Sequence, residues 1–230
     1  MSKGRCLGLV GGLGVGATIH YYEALAKAHQ AQGRTLDIVI AHAETQQVFA
    51  YVQAGDRAGL AAYLAGFIRR LQAGGAEVAA ITGVTPYYCV RELIAASPLP
   101  LFNIFEPLIV ELRTRSARRI AIFGTRFVME SDLFGMVENV DIVLPHPDEV
   151  DTIHNTYLQL LQHGKGSTEQ HRRLTAIAHT LCERDEVDTI VFAGTDLALL
   201  FNDANTDFPH IDCAALHLQA IISGLSNDAH

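Results

Sequence analysis

Short apolar runs that end in glycine or threonine alternate along this chain with segments of helical periodicity. That alternation constrains the fold more than any other feature. Cys6–Val10 runs into Gly11-Gly12-Leu13-Gly14-Val15-Gly16, and a helical pattern follows from about Ala17 to Ala31. Asp37–His42 is a second strand-like run. From Asp56 to Ala73, residues Leu60, Tyr63, Leu64, Phe67, Ile68 and Leu71 recur on one helical face until Gly74-Gly75 stops the pattern. Glu77–Thr82 and Leu99–Asn103 read as further strands. The second half repeats the scheme with strands at Arg119–Phe123, Asp141–Leu144, Val187–Ala193 and Ile211–Cys213, and helices at Asp148–His163, Thr168–Glu183 and Ala214–Ser223. Strands and helices in this order require parallel sheets with crossover helices. The predicted fold is therefore α/β, with two similar lobes, each a parallel sheet flanked by helices, and an active cleft between them. Residues 1–103 plus 211–230 are expected to form the first lobe and residues 104–210 the second.

Composition narrows the function. Hydrophobic residues make up 49% of the 230 and charged residues 18%, which is enough apolar material for a packed core. No apolar run reaches the roughly 18 residues of a membrane span. Seventeen basic residues against 25 acidic ones give a net charge of −8, which argues against a general basic surface for nucleic acid. The opening MSKGRCLGLVGGLGVG reads as a strand entering a glycine loop rather than as a leader. Cys6, Cys89, Cys182 and Cys213 form no C-x-x-C pair, and no H-x-x-x-H pair occurs. Reduced thiols in a cytoplasmic protein without a metal site are expected.

Ligands of open α/β sheets bind beyond the carboxyl ends of strands. Here those ends carry Gly11–Thr18, His42–Thr45, Gly83–Tyr88, Gly124–Arg126 and Gly194–Asp196. The glycine loop has neither the G-x-G-x-x-G spacing nor a following Lys-Ser/Thr, so it suits a nucleotide poorly. Thr85, Thr125 and Thr195 offer hydroxyls and backbone amides near helix starts, which suit a carboxylate, or they simply cap those helices.

Four segments, in order, resemble the aspartate/glutamate racemase superfamily: Gly8-Leu9-Val10-Gly11-Gly12-Leu13-Gly14-Val15-Gly16-Ala17-Thr18, Phe123–Glu130, Tyr157–Gly164 and Asp212–His217. The resemblance spans about residues 6–224. It implies a homodimer that needs no cofactor and acts on a small carboxylic acid. Members of that superfamily use one catalytic cysteine after each of two matching strands. The register set by Thr85 and by Thr195-Asp196-Leu197 puts Gly83 and Gly194 at those positions, Tyr87 at a histidine, Val84 at an asparagine and Asp196 at an acid. Glycine can neither give nor take a proton, so ordinary two-thiol racemisation is not expected.

Tyr87 and Asp196 are the candidates for proton transfer, and Gly83, Thr85, Thr125, Gly194, Thr195 and Lys165 for substrate binding. Cys89, near a helix start, is either a thiol of lowered pKa or a buried structural residue. Two glycines would also leave volume for a bulkier acid. The expected activity is cofactor-independent acid–base chemistry next to a carboxylate, of isomerase, lyase or cyclase type. The alternative is a carboxylate-binding protein that has lost its chemistry.

Overall fold

The structure is a computed structural model that describes residues 4–227. Among them are two four-stranded sheets, and every strand pairing is parallel. The first sheet has the order β2-β1-β3-β4, from β1 (Leu7–Gly11), β2 (Ile38–His42), β3 (Val78–Ile81) and β4 (Leu101–Phe102). The second has the order β6-β5-β7-β8, from β5 (Arg119–Phe123), β6 (Asp141–Val143), β7 (Thr189–Phe192) and β8 (His210–Asp212). The two orders are the same. In each sheet the chain moves to one edge after its first strand and then to the other side. The reversal lies between β1 and β3 in one sheet and between β5 and β7 in the other, which is where such sheets open a crevice for ligands.

Nine helices join the strands of the described residues: α1 (Val15–Ala31), α2 (Thr45–Gln53), α3 (Arg57–Ala73), α4 (Val90–Ala96), α5 (Phe105–Thr114), α6 (Arg126–Glu130), α7 (Pro147–His163), α8 (Thr168–Arg184) and α9 (Cys213–Asn227). Short 3-10 turns cover Thr85–Cys89, Asp132–Gly135 and Thr195–Leu199. Beyond Arg119 and Thr189 at their starts, the central strands are apolar, because helices cover both faces of a parallel sheet. Leu7, Leu9, Val10, Ala79, Ala80 and Ile81 are wholly buried, as are Ile120, Phe123, Ile190 and Val191. Helix α3 lays Leu60, Leu64, Ile68 and Leu71 on the first sheet. Its start is capped by Asp56, which accepts from Gly59 N at 2.8 Å, and it ends at Gly74 and Gly75, the latter at a φ of 100°.

Two compact units divide the chain. The first runs to Asn103 and resumes at His217, and the second spans Ile104–Leu216. The chain returns to the first unit at His217 rather than near residue 211, because β8 pairs with β7 and stays with the second sheet. Asp212 then caps α9 by accepting from Ala214 N at 2.7 Å. No helix among the described residues is long and apolar enough to cross a membrane.

Candidate active site

In the first unit the glycine loop is stitched to itself. The Gly12 amide donates to Thr18 Oγ1 at 3.0 Å, and Thr18 Oγ1 in turn donates to the Gly14 carbonyl at 2.9 Å. Thr18 Oγ1 also lies 3.2 Å from Thr82 Oγ1, at the end of β3. Thr45 Oγ1 donates to the Gly12 carbonyl at 2.9 Å. Gly12 has a φ of 84° that only glycine holds without strain. A side chain of the protein therefore takes the Gly12 amide that a phosphate would need. His42 and Glu44, at the end of β2, are exposed and pair at 3.7 Å.

The turn after β3 holds three of the expected residues. Gly83 and Thr85 are buried, and Tyr87 is 1% exposed. The Tyr87 phenol donates to the Phe102 carbonyl at 3.0 Å, a structural bond that ties the turn to β4. The prospect of a reactive Cys89 is corrected. Its thiol is buried, it donates to the Pro86 carbonyl at 3.4 Å, and burial, with Glu92 adding, pushes its pKa up to about 12. Burial likewise raises the thiols of Cys182 and Cys213.

In the second unit the structure gathers Thr125, Gly194, Thr195 and Asp196 at the ends of β5 and β7. These two strands are neighbours in the sheet. Thr125 caps α6, accepting from Val128 N at 3.3 Å. Lys165 is exposed, in the loop between α7 and α8, beside Gly166, which packs against Leu199 and Leu200.

Two residues that sequence reasoning did not single out as functional come from α7. His154 accepts the Arg126 amide on Nδ1 at 3.1 Å. Tyr157 is buried and donates to Asp196 Oδ2 at 3.4 Å, and Asp196 is 0% exposed. Burial raises the Tyr157 phenol well above its ordinary pKa and the Asp196 charge raises it further. The Asp196 amide and the Thr195 hydroxyl act on the same oxygen in the opposite direction. The phenol is therefore a protonated donor at any physiological pH, held against a carboxylate. Burial and the nearby Arg126 charge lower the His154 pKa, so its imidazole is neutral at pH 7.

The two glycines differ. A Cβ built on Gly83 would lie at ordinary contact distance, 3.4 Å from Pro86 Cδ and 3.6 Å from Leu13 Cβ. A Cβ on Gly194 would collide with the Tyr157 ring, 2.9 Å from Cδ2 and Cζ and closer still to Cε2. The expected open volume is thus corrected at Gly194, where the Tyr157 ring fills the space. Gly83→Ala, with ordinary contacts for its methyl, is expected to change stability by less than about 1 kcal/mol. Gly194→Ala should cost about 1–3 kcal/mol, as overpacking of a filled site does. Urea unfolding measures both, and Gly194→Ala combined with Tyr157→Leu should recover part of the loss. A Gly194→Ala protein as stable as the parent would contradict the packing.

Among the described residues, no group of three or more His, Cys, Asp or Glu side chains could hold a metal ion. The fold is shared with solved proteins. A candidate Asp/Glu racemase from Yersinia pestis is 23% identical with a TM-score of 0.78, over 96% of this chain and 99% of that one. An aspartate racemase homologue from Pyrococcus horikoshii is 18% identical with a TM-score of 0.77, over 98% and 100%. The aspartate racemase of Picrophilus torridus is 18% identical with a TM-score of 0.75, over 96% and 94%. At these identities the likeness establishes the fold. The sequence model of the Asp/Glu/hydantoin racemases matches residues 10–221, and the chain belongs to that family.

Proposed function

We propose that this protein is a cofactor-independent enzyme that moves a proton at the carbon next to a carboxylate of a small organic or amino acid. The observation that carries this reading is the contact between Tyr157 and Asp196. A buried carboxylate and a phenol kept protonated by burial lie 3.4 Å apart at the carboxyl end of β7. Asp196 takes the proton from carbon and returns it to the product, and the Tyr157 hydroxyl holds the carboxylate in place. Tyr87 is left out of this proposal because its phenol ties the turn after β3 to β4 through the Phe102 carbonyl. Thr125, beside this pair in the second unit, holds the substrate carboxylate.

Inversion at carbon needs an acid and a base on opposite faces. A contiguous pair serves one face, and Gly194 beside it carries no side chain to serve another. Isomerisation, elimination or cyclisation therefore fits better than two-thiol racemisation. The aspartate and glutamate racemases of the same fold favour an amino acid or dicarboxylic acid as substrate. A homodimer in the cytoplasm is part of this proposal.

A second reading is a carboxylate-binding protein without turnover. It is favoured by the Tyr157 oxygen, which already engages the Thr195 hydroxyl and the Asp196 amide. Proton exchange in D₂O, followed by NMR across amino acids, dicarboxylic acids and cyclic acids, separates the two. Exchange beside a carboxylate, or a new product, supports the enzyme. Binding with neither supports the second reading, and no binding by any acid overturns both.

A further inference from the structure

Helix α7 places His154 and Tyr157 three residues apart, on one face, over the two strand-end turns of the second unit. Each takes up a backbone amide that an anionic ligand would otherwise use. His154 Nδ1 accepts from Arg126 N at 3.1 Å, and the Asp196 amide acts on the Tyr157 oxygen. An anion at these turns therefore needs a donor other than these two amides, beside the Thr125 hydroxyl. The Arg126 guanidinium is held by Asp151 and by Glu130, the latter at 3.2 Å.

His154 is that donor. Because Nδ1 accepts, the proton of the neutral ring sits on Nε2. Among the described residues Nε2 has no hydrogen-bond partner, and the side chain is only half-buried. The imidazole thus carries the donor character of the Arg126 amide one ring outward. We infer that His154 is a substrate-binding residue, which takes a carboxylate oxygen on Nε2–H in place of the backbone of the Thr125–Arg126 turn. The inference rests on the carboxylate part of the reading above and is independent of its proton transfer.

The test uses the whole protein, ¹⁵N-labelled at histidine, with succinate as the probe. The His154 signals are identified by their loss in His154→Asn. Succinate should shift the Nε2–H resonance while Nδ1 keeps its acceptor signature. Asparagine can still accept the Arg126 amide but has nothing at the Nε2 position. His154→Asn should therefore weaken succinate binding on the order of 10- to 100-fold, the range for a hydrogen bond to a charged group. His154→Gln, which restores a donor near Nε2, should recover most of that loss.

An Nε2 resonance that stays still through a millimolar titration would overturn the inference, and so would equal affinity in His154→Asn. The resonance test uses unmutated protein and so survives a variant that fails to fold. A succinate-dependent Nε2 shift without proton exchange on any acid would sink the proposed chemistry and leave the role of His154 standing.

Discussion

Asp196→Asn is expected to lower proton exchange, or turnover of an identified acid, by about 10²–10⁴-fold, the usual worth of one acid–base group. The substitution keeps the shape of the side chain and an oxygen that can accept from Tyr157. What it removes is the basic carboxylate. The same change takes a charge out of a site with 0% exposure, so stability should hold or rise while activity falls. That opposition separates a catalytic role from a structural one, because loss of a structural carboxylate would lower both. Tyr157→Phe should act differently. It takes a donor from the carboxylate and leaves the base in place, so exchange should fall less than in Asp196→Asn. Asp196→Asn retaining more than about a tenth of the exchange rate would remove Asp196 from the chemistry.

Much of the framework was legible because burial leaves a strong mark on sequence. The central strands are covered on both faces, so Leu7–Gly11, Arg119–Phe123 and Thr189–Phe192 stand out as apolar runs. Helix α3 announces itself through Leu60, Leu64, Ile68 and Leu71 and through the two glycines behind them. Helix α2 does not, because only Val48 and Val52 of its residues are buried and polar positions surround them. Helix α5 carries Pro107 in its first turn, and in so short a helix the buried Phe105, Leu108 and Leu112 are masked by the exposed Val110 between them.

The site was harder to read for a different reason. A glycine beside empty space and a glycine beside a neighbouring ring are the same letter. Gly83 and Gly194 look equivalent in sequence, and only the position of α7 over β7 shows that Tyr157 has taken the space at Gly194. The signal that could have found Tyr157 is its place on the buried face of α7, with Ile153, Thr156 and Leu160. Which strand end that face covers depends on packing between distant segments.

The buried hydrogen bonds around His217 lead to the largest expected stability effect. His217 Nε2 lies 2.9 Å from the Phe102 carbonyl, which can only accept, so Nε2 carries the proton. Nδ1 then accepts from the Tyr21 phenol at 3.1 Å. The same Phe102 carbonyl takes the Tyr87 phenol at 3.0 Å. The Tyr21 phenol and the imidazole are thus matched as donor and acceptor while the ring is neutral. Protonating Nδ1 would bury a charge and force the Tyr21 hydroxyl to turn from donor to acceptor. Burial accordingly pushes the His217 pKa down to about 4.

An unfolded histidine titrates near 6.5. Between these values the unfolded chain binds more protons, so stability rises with pH. The contribution is complete above about pH 6.5 and is lost as pH falls through about 4, with a total on the order of 3 kcal/mol. Urea unfolding at stepped pH should show this slope in the parent. His217→Gln should be less stable at pH 7 and flatter between pH 6.5 and 4.5, above the range where ordinary carboxylates titrate. Equal slopes in the two proteins would mean that His217 is not what acid attacks first. The expected difference follows from position. His217 opens the return of α9 into the first unit, and Phe102 lies one residue before the point where the chain leaves it. One neutral ring therefore secures both places where the chain crosses between the units.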